Sequence, residues 1–281
     1  MTDWDRDWPA PAKLNLFLHV VGRRPDGYHL LQTVFRFIDH GDVLRFSPRD
    51  DGAIVMANPL PGVPPESDLT VRAAAALRAA TGIRDGVTIH LEKKLPMGGG
   101  LGGGSSDAAT TLIALDHLWN TGLESASLQR IGLSLGADVP VFIHGRTTFA
   151  EGIGERFTDV KARTRWYLVL VPPVAVPTPV IFRAPELRRD TPAIDPGEWT
   201  ESFGGNDLEP VACALYPAVA DALAFLRRHG DARMSGSGAS CFVAFDNPTD
   251  ARRAFTQRPH GVDGFVAQGL DRHPLCTASR N

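Results

Sequence analysis

Cysteine is scarce in this 281-residue chain. The three thiols, Cys213, Cys241 and Cys276, are far apart and form no CxxC pair. That excludes a disulfide framework and a zinc ribbon, and it suits a reducing cytoplasmic compartment. An excess of basic charge is also missing. Lys and Arg number 29 against 32 Asp and Glu, for a net charge of −3. Nothing in that balance neutralises a phosphate backbone broadly, so no nucleic-acid partner is expected. Long apolar runs are absent too. The longest, Tyr167 to Pro177, is broken by prolines and too short to span a bilayer. The opening MTDWDRDWPAP is acidic and has no apolar core, so neither a signal peptide nor a membrane partner is expected. No internal repeat is visible. The 28 glycines and 22 prolines fall short of the roughly 25–30% that marks low-complexity chains.

What remains is an ordinary globular composition, 43% hydrophobic and 22% charged. Its length suggests about two domains on a prior of ~150 residues each. Residues 12–21 alternate with period two. Leu14, Leu16, Leu18 and Val20 read as the core face, and Lys13, Asn15, Phe17 and His19 as the other. A turn follows at Pro25-Asp26-Gly27. Further strands are predicted at 30–38, 42–47, 53–57 and 86–92. Helices are predicted from a Ser67 or Asp68 cap to Ala80, closed by Gly82, then at 105–120 and 127–135. The second half restarts with a strand at 167–171. Helices at 209–215 and 217–229, a strand at 240–245, a helix near 248–257 and a strand near 264–269 complete it. The stretch 184–205 is the least structured. Strands and helices mix without regular βα alternation, so the fold class is α+β, with a domain boundary at 163/164.

The strongest local signal is PMGGGLGGGSSDAA at 96–109. Six of the seven residues from Gly98 to Gly104 are glycine. Such a loop can turn repeatedly through positive φ and bring backbone N–H groups close to ligand oxygens. It runs directly into a predicted helix, whose free N–H groups and partial positive charge favour an anion. Ser105 and Ser106 add hydroxyls there. The whole suits a polyphosphate. It is not a Walker A loop, because no Gly-Lys-Ser/Thr follows. One GxGxxG match lies inside it, Gly98-x-Gly100-x-x-Gly103, but a helix candidate follows where a dinucleotide fold wants a strand.

Pro96 through Ser106 resembles the ATP-binding motif of the GHMP kinases (galactokinase, homoserine kinase, mevalonate kinase, phosphomevalonate kinase). PAKLNLFLHV at 11–20 and SGSGAS at 235–240 resemble that superfamily's first and third motifs, in the right order. Four further stretches, RPDGYH (24–29), LGADVPVFIHG (135–145), PTPVIF (177–182) and NDLEP (206–210), resemble those members whose substrate is a cytidine-diphosphate sugar alcohol. Nearly the whole chain is covered. The resemblance implies an N-terminal domain like ribosomal protein S5 domain 2, a ferredoxin-like C-terminal domain, ATP with Mg²⁺, and phosphoryl transfer to an alcohol in isoprenoid precursor synthesis. Monomer and homodimer both stay open.

By the same resemblance the nucleotide loop comprises Pro96, Met97, Gly98, Gly99, Gly100, Leu101, Gly102, Gly103, Gly104, Ser105 and Ser106. Asp138 is implied as the catalytic base and Lys13 as its partner. Tyr28 and Phe182 are implied to sandwich cytosine, with His29 on its edge and Asn15 and Thr178 as polar contacts. No metal ligand is identified. The residue pattern alone also allows blander readings. Lys13 would be a lysine at the solvated start of a strand, and Asp138 an aspartate bonding its own turn. Pro140 biases Val139 toward extended backbone. Tyr28 and His29 would be packing or surface residues. Asp207 reads as the N-cap of the next helix. Gly236 and Gly238 serve equally as a ligand approach or a tight turn.

The sequence admits three rival functions. A homoserine or mevalonate kinase has no cytosine to hold, which RPDGYH and PTPVIF argue against. A helix-turn-helix at 127–137 is blocked by Pro140 and by the negative charge. A dinucleotide oxidoreductase rests on the lone GxGxxG.

Overall fold

A computed structural model describes residues 3–277. In chain order the elements are β1 (Trp8–Arg23), β2 (His29–Arg49), β3 (Ile54–Met56), α1 (Leu69–Thr81), β4 (Gly86–Glu92), α2 (Gly103–Leu118), α3 (Ser125–Leu135), α4 (Val139–His144), β5 (Thr148–Gly152) and β6 (Arg156–Asp159). They continue with β7 (Trp166–Val171), α5 (Thr178–Arg183), α6 (Glu209–Leu215), α7 (Pro217–Leu226), β8 (Arg233–Met234), β9 (Cys241–Phe245), α8 (Pro248–Thr256) and β10 (Asp263–Leu270).

β1 and β2 form a long antiparallel hairpin closed by the Pro25-Asp26-Gly27 turn. The two strands predicted at 30–38 and 42–47 are one continuous strand. The strand order β3-β4-β2-β10-β7-β9-β8 joins the first half of the chain to the second, with β1 and β5 also paired to β2. The junction is β10, which reaches β2 at Gly269↔Ile38 and Leu270↔Phe37. Helix ends follow local chemistry. Asp68 caps α1 by accepting from the Thr70 N–H, and Gly82 ends it in the left-handed conformation at φ +75°.

β1 departs most from its predicted pattern. Both of its faces are buried: Lys13 and Asn15 at 2% exposure, Phe17 at 0%, as well as Leu14 and Val20. The strand begins at Trp8, so Lys13 is well inside it rather than at a solvated start. It threads all three hydrophobic clusters. Trp8 and Ala10 pack with α1 and α2, Leu14 and Phe17 pack centrally, and Leu18 and Val20 pack with α6 and α7. Register shifts at Pro11/Lys13 and Asn15/Leu18 break the strict alternation.

Val139 also differs from expectation. It opens α4 in helical form, with Pro140 in the first turn, where a missing N–H costs nothing.

Candidate active site

The loop between β4 and α2 turns through positive φ at Gly98, Gly100 and Gly102 (70°, 75° and 73°). Two of these glycines are fixed by close approach. A Cβ on Gly100 would lie 2.2 Å from the Ser235 carbonyl oxygen, and one on Gly102 would lie 2.9 Å from Phe142 and 3.1 Å from the Lys13 stem. The loop is pinned through successive carbonyls. Gly99 O accepts from the Ser240 N–H at 3.1 Å, and Leu101 O accepts from the Lys13 N–H at 2.9 Å. Gly100 O accepts from Ser235 Oγ at 2.9 Å and from Lys13 Nζ at 3.1 Å. β1 and the 235–240 loop therefore hold the glycine loop from two sides.

α2 starts straight from this loop, with Gly102 as a cap that supplies no side chain. Its first intrahelical bond is Ser106 N–H to Gly102 O, at 2.8 Å. The N–H groups of Gly103, Gly104 and Ser105 thus have no helical acceptor, and all three residues line one cavity of about 910 Å³. Pro96, Gly98, Gly99, Gly100 and Gly102 line it as well. Three residues of the predicted loop do not. Leu101 is buried in the central cluster, Ser106 Oγ donates to Pro11 O at 2.7 Å, and Met97 is 60% exposed. Leu101 and Ser106 are anchors that set the loop on the core.

The same cavity contains Lys13 and Asp138. Lys13 Nζ lies 3.3 Å from Asp138 Oδ2 and donates to Asn15 Oδ1 at 2.6 Å. Asn15 Nδ2 in turn donates to Thr33 Oγ1 at 2.9 Å, and the Asn15 N–H donates to Ser235 Oγ at 3.2 Å. The ammonium is thus aimed by an amide that is itself fixed. Asp138 sits immediately before α4 with its side chain 36% exposed, so it reaches the cavity while its partner stays dry.

At the other end stand Tyr28, His29, Thr178 and Phe182. Tyr28, just past the hairpin turn, is 59% exposed, and its ring lies 5.9 Å from the Arg24 guanidinium. The Phe182 ring packs on His29 at 4.9 Å with a 38° tilt. Burial, then the Arg189 and Arg23 charges, lowers the His29 pKa, which leaves its imidazole neutral at pH 7. Thr178 Oγ1 and Ser237 Oγ are 2.7 Å apart, tying α5 to the 235–240 loop.

Three supports were not legible beforehand. Asn206 Nδ2 donates to Met234 O at 2.8 Å and to Gly236 O at 2.7 Å, shaping the 235–240 loop. Asp207 is not the helix cap that its position suggests. Its Oδ2 accepts from the Val20 N–H and from Thr191 Oγ1, each at 2.7 Å, while Leu208 takes the cap position of α6. Its neighbourhood in NDLEP was the only signal. Third, Lys93 Nζ bridges Asp42 at 2.6 Å and Asp107 at 2.7 Å beneath the start of α2. Asp42 also accepts the Lys94 and Leu95 N–H groups. Burial, against the pull of Lys93, pushes Asp107 up to about 8. Among the described residues, no three His, Cys, Asp or Glu side chains gather as a metal site. No helix there is long and apolar enough to cross a membrane.

Glycine amides opening into a cavity beside a Lys–Asp pair suit a small-molecule phosphotransferase of the GHMP class. Family comparison agrees. Residues 68–146 match the GHMP kinase N-terminal domain and residues 190–259 the GHMP kinase C-terminal domain. The chain is 62% identical to a 4-diphosphocytidyl-2-C-methyl-D-erythritol kinase of Dechloromonas aromatica (strain RCB), over 97% of this chain and all of that one. It is 54% identical to the enzyme of that name from Halorhodospira halophila (strain DSM 244 / SL1), over 98% of this chain and 96% of that one. A crystal structure of 4-(cytidine 5'-diphospho)-2C-methyl-D-erythritol kinase superposes with a TM-score of 0.81 at 34% identity, over 94% of this chain and 99% of that one. A homoserine kinase from Cytophaga hutchinsonii ATCC 33406 superposes with a TM-score of 0.72 at 16% identity over 95% of each chain, which speaks for the fold alone. The chain belongs to the 4-diphosphocytidyl-2-C-methyl-D-erythritol kinase family, and its fold is the α+β two-domain GHMP kinase fold.

Proposed function

We propose that the protein transfers the γ-phosphoryl group of ATP to the 2-hydroxyl of 4-diphosphocytidyl-2-C-methyl-D-erythritol. The products are the 2-phosphate and ADP, and the reaction belongs to the non-mevalonate route to isoprenoid precursors. The observation that carries this reading is the juxtaposition of three free amides at the start of α2 with the Lys13–Asp138 pair in one cavity.

Phosphoryl transfer asks little covalent chemistry of a protein; positioning and charge stabilisation dominate. The amides of Gly103, Gly104 and Ser105 hold the polyphosphate. Tyr28 and Phe182 flank the cytosine ring, His29 meets its edge, and Thr178 gives a further polar contact. Asp138 accepts the proton of the attacking hydroxyl, and Lys13 stabilises the developing oxyanion. Asn15 keeps Lys13 on target. ATP use follows from the family; Mg²⁺ is our inference. The described residues form no dedicated metal cage, so the ion would travel with the phosphates and keep several waters, as magnesium commonly does. We place the domain boundary at 163/164 and the protein in the cytoplasm, as a monomer or homodimer.

Mass spectrometry of the product tests this. Purified protein with Mg-ATP and the cytidine substrate should give a singly phosphorylated product, while homoserine and mevalonate should give none. Product from either of those alcohols instead would overturn the substrate assignment.

A further inference from the structure

Arg189 stands behind His29 in the loop that follows α5. Its Nε donates to His29 Nε2 at 3.2 Å. Three of the other four N–H groups of the guanidinium are engaged as well. Nη1 donates to Leu187 O at 2.9 Å, and Nη2 donates to Phe182 O at 3.0 Å and Ala184 O at 2.7 Å. Arginine carries donors only and keeps its charge at any physiological pH. An imidazole nitrogen facing it must therefore present its lone pair. The proton of the neutral ring then resides on Nδ1, which has no partner among the described residues.

We propose that Arg189 is a positioning residue that fixes His29 as the Nδ1–H tautomer, and that this fixed donor makes the site prefer cytosine to uracil. The inference rests on the reading of this end of the cavity as the cytidine site. Cytosine N3 is a bare acceptor, whereas uracil N3 carries a hydrogen. A donor that cannot exchange its proton for a lone pair pairs with the first and opposes the second. A histidine free to change tautomer would accommodate both. Discrimination comes from the repulsive element as much as from the attractive one. Arg189 also holds the Phe182 backbone carbonyl, so one side chain ties His29 to the segment that carries the Phe182 ring.

Two measurements on the full-length protein decide it. Nitrogen-15 NMR of the ligand-free protein should show His29 protonated at Nδ1, with Nε2 unprotonated. Arg189→Met should shift that population toward Nε2–H, and Arg189→Lys, which keeps a donor, should largely restore it. Kinetics with the cytidine substrate and its uridine counterpart should then show the wild-type cytidine preference narrowed at least ~10-fold in Arg189→Met. The change should appear in KM with kcat retained, and Arg189→Lys should recover part of the preference. Thermal melting separates these effects from unfolding of the α5 loop. A wild-type Nε2–H signal overturns the tautomer assignment, irrespective of substrate. A correct tautomer with an unchanged cytidine-to-uridine ratio in Arg189→Met overturns the specificity role alone. A correct tautomer with no turnover of either compound overturns the proposed function, and the specificity role with it.

Discussion

The Lys13 ammonium lies 3.3 Å from the Asp138 carboxylate, and the two differ sharply in exposure, at 3% and 36%. A dry cation beside a half-open carboxylate gives a base that can meet a hydroxyl and a charge that water screens weakly. Asn15 Oδ1 and Gly100 O both accept from Lys13, and the second bond ties that charge to the glycine loop that we propose holds the phosphates.

Lys13→Met keeps most of the stem and removes the charge. Because Gly100 O retains its bond from Ser235, the loop should persist. We expect kcat to fall about 10²–10³-fold, the usual loss for one preorganised electrostatic group. Steady-state kinetics with a parallel melting curve checks this. Normal turnover in the folded variant would contradict it.

Tyr28→Ala should act on binding alone. The side chain is exposed and outside the core, so the melting temperature should hold. Base–aromatic stacking is worth ~1–3 kcal/mol, so its loss should raise the KM for the cytidine substrate about 5–150-fold. The kcat value and the KM for ATP should change little.

Gly98→Ala and Gly100→Ala should separate backbone strain from steric exclusion. Both positions have positive φ, but a Cβ at Gly98 meets nothing within 4 Å, whereas at Gly100 it meets the Ser235 carbonyl at 2.2 Å. The first should cost roughly 1–2 kcal/mol. The second should cost about 1–3 kcal/mol more through overpacking. Urea denaturation ranks them; equal losses would refute the packing argument.

Much of this was legible in the sequence because it was local. The glycine run, the Asp68 and Gly82 caps and the PDG turn each specify their own backbone. The burial of Lys13 was not legible, since a lysine alternating with leucines reads as a solvent face. Only the tertiary sheet shows that β1 passes through three clusters and has no outer face. Arg189, Asn206 and the Lys93–Asp42–Asp107 bridge escaped for the same reason. The partners that give them their roles (His29 for Arg189, Met234 and Gly236 for Asn206, Asp42 for Lys93) are distant in sequence, and single charged or amide residues carry no period.

His273 should govern part of the acid stability. It is buried, its Nδ1 accepts from the Leu275 N–H at 3.2 Å, and Nε2 has no partner among the described residues. Burial lowers its pKa from 6.5 to about 3. The unfolded chain takes up a proton near 6.5 and the folded chain does not until about 3, so stability falls as pH drops through that window. The slope contributed by this residue approaches ~1.4 kcal/mol per pH unit. His273→Asn keeps an acceptor for Leu275 and does not titrate. Urea midpoints from pH 4 to 7 should therefore fall less steeply in the variant.

Single-turnover phosphoryl transfer by Asp138→Asn tests the central claim most directly. The variant is isosteric and retains hydrogen bonding, but it loses the carboxylate and with it the ion pair to Lys13. With ATP and the cytidine substrate both saturating, the rate of product formation should drop about 10²–10⁴-fold while ATP affinity and melting temperature stay close to wild type. A wild-type rate in the folded variant would mean that the hydroxyl proton leaves by another route and that Asp138 is not the base.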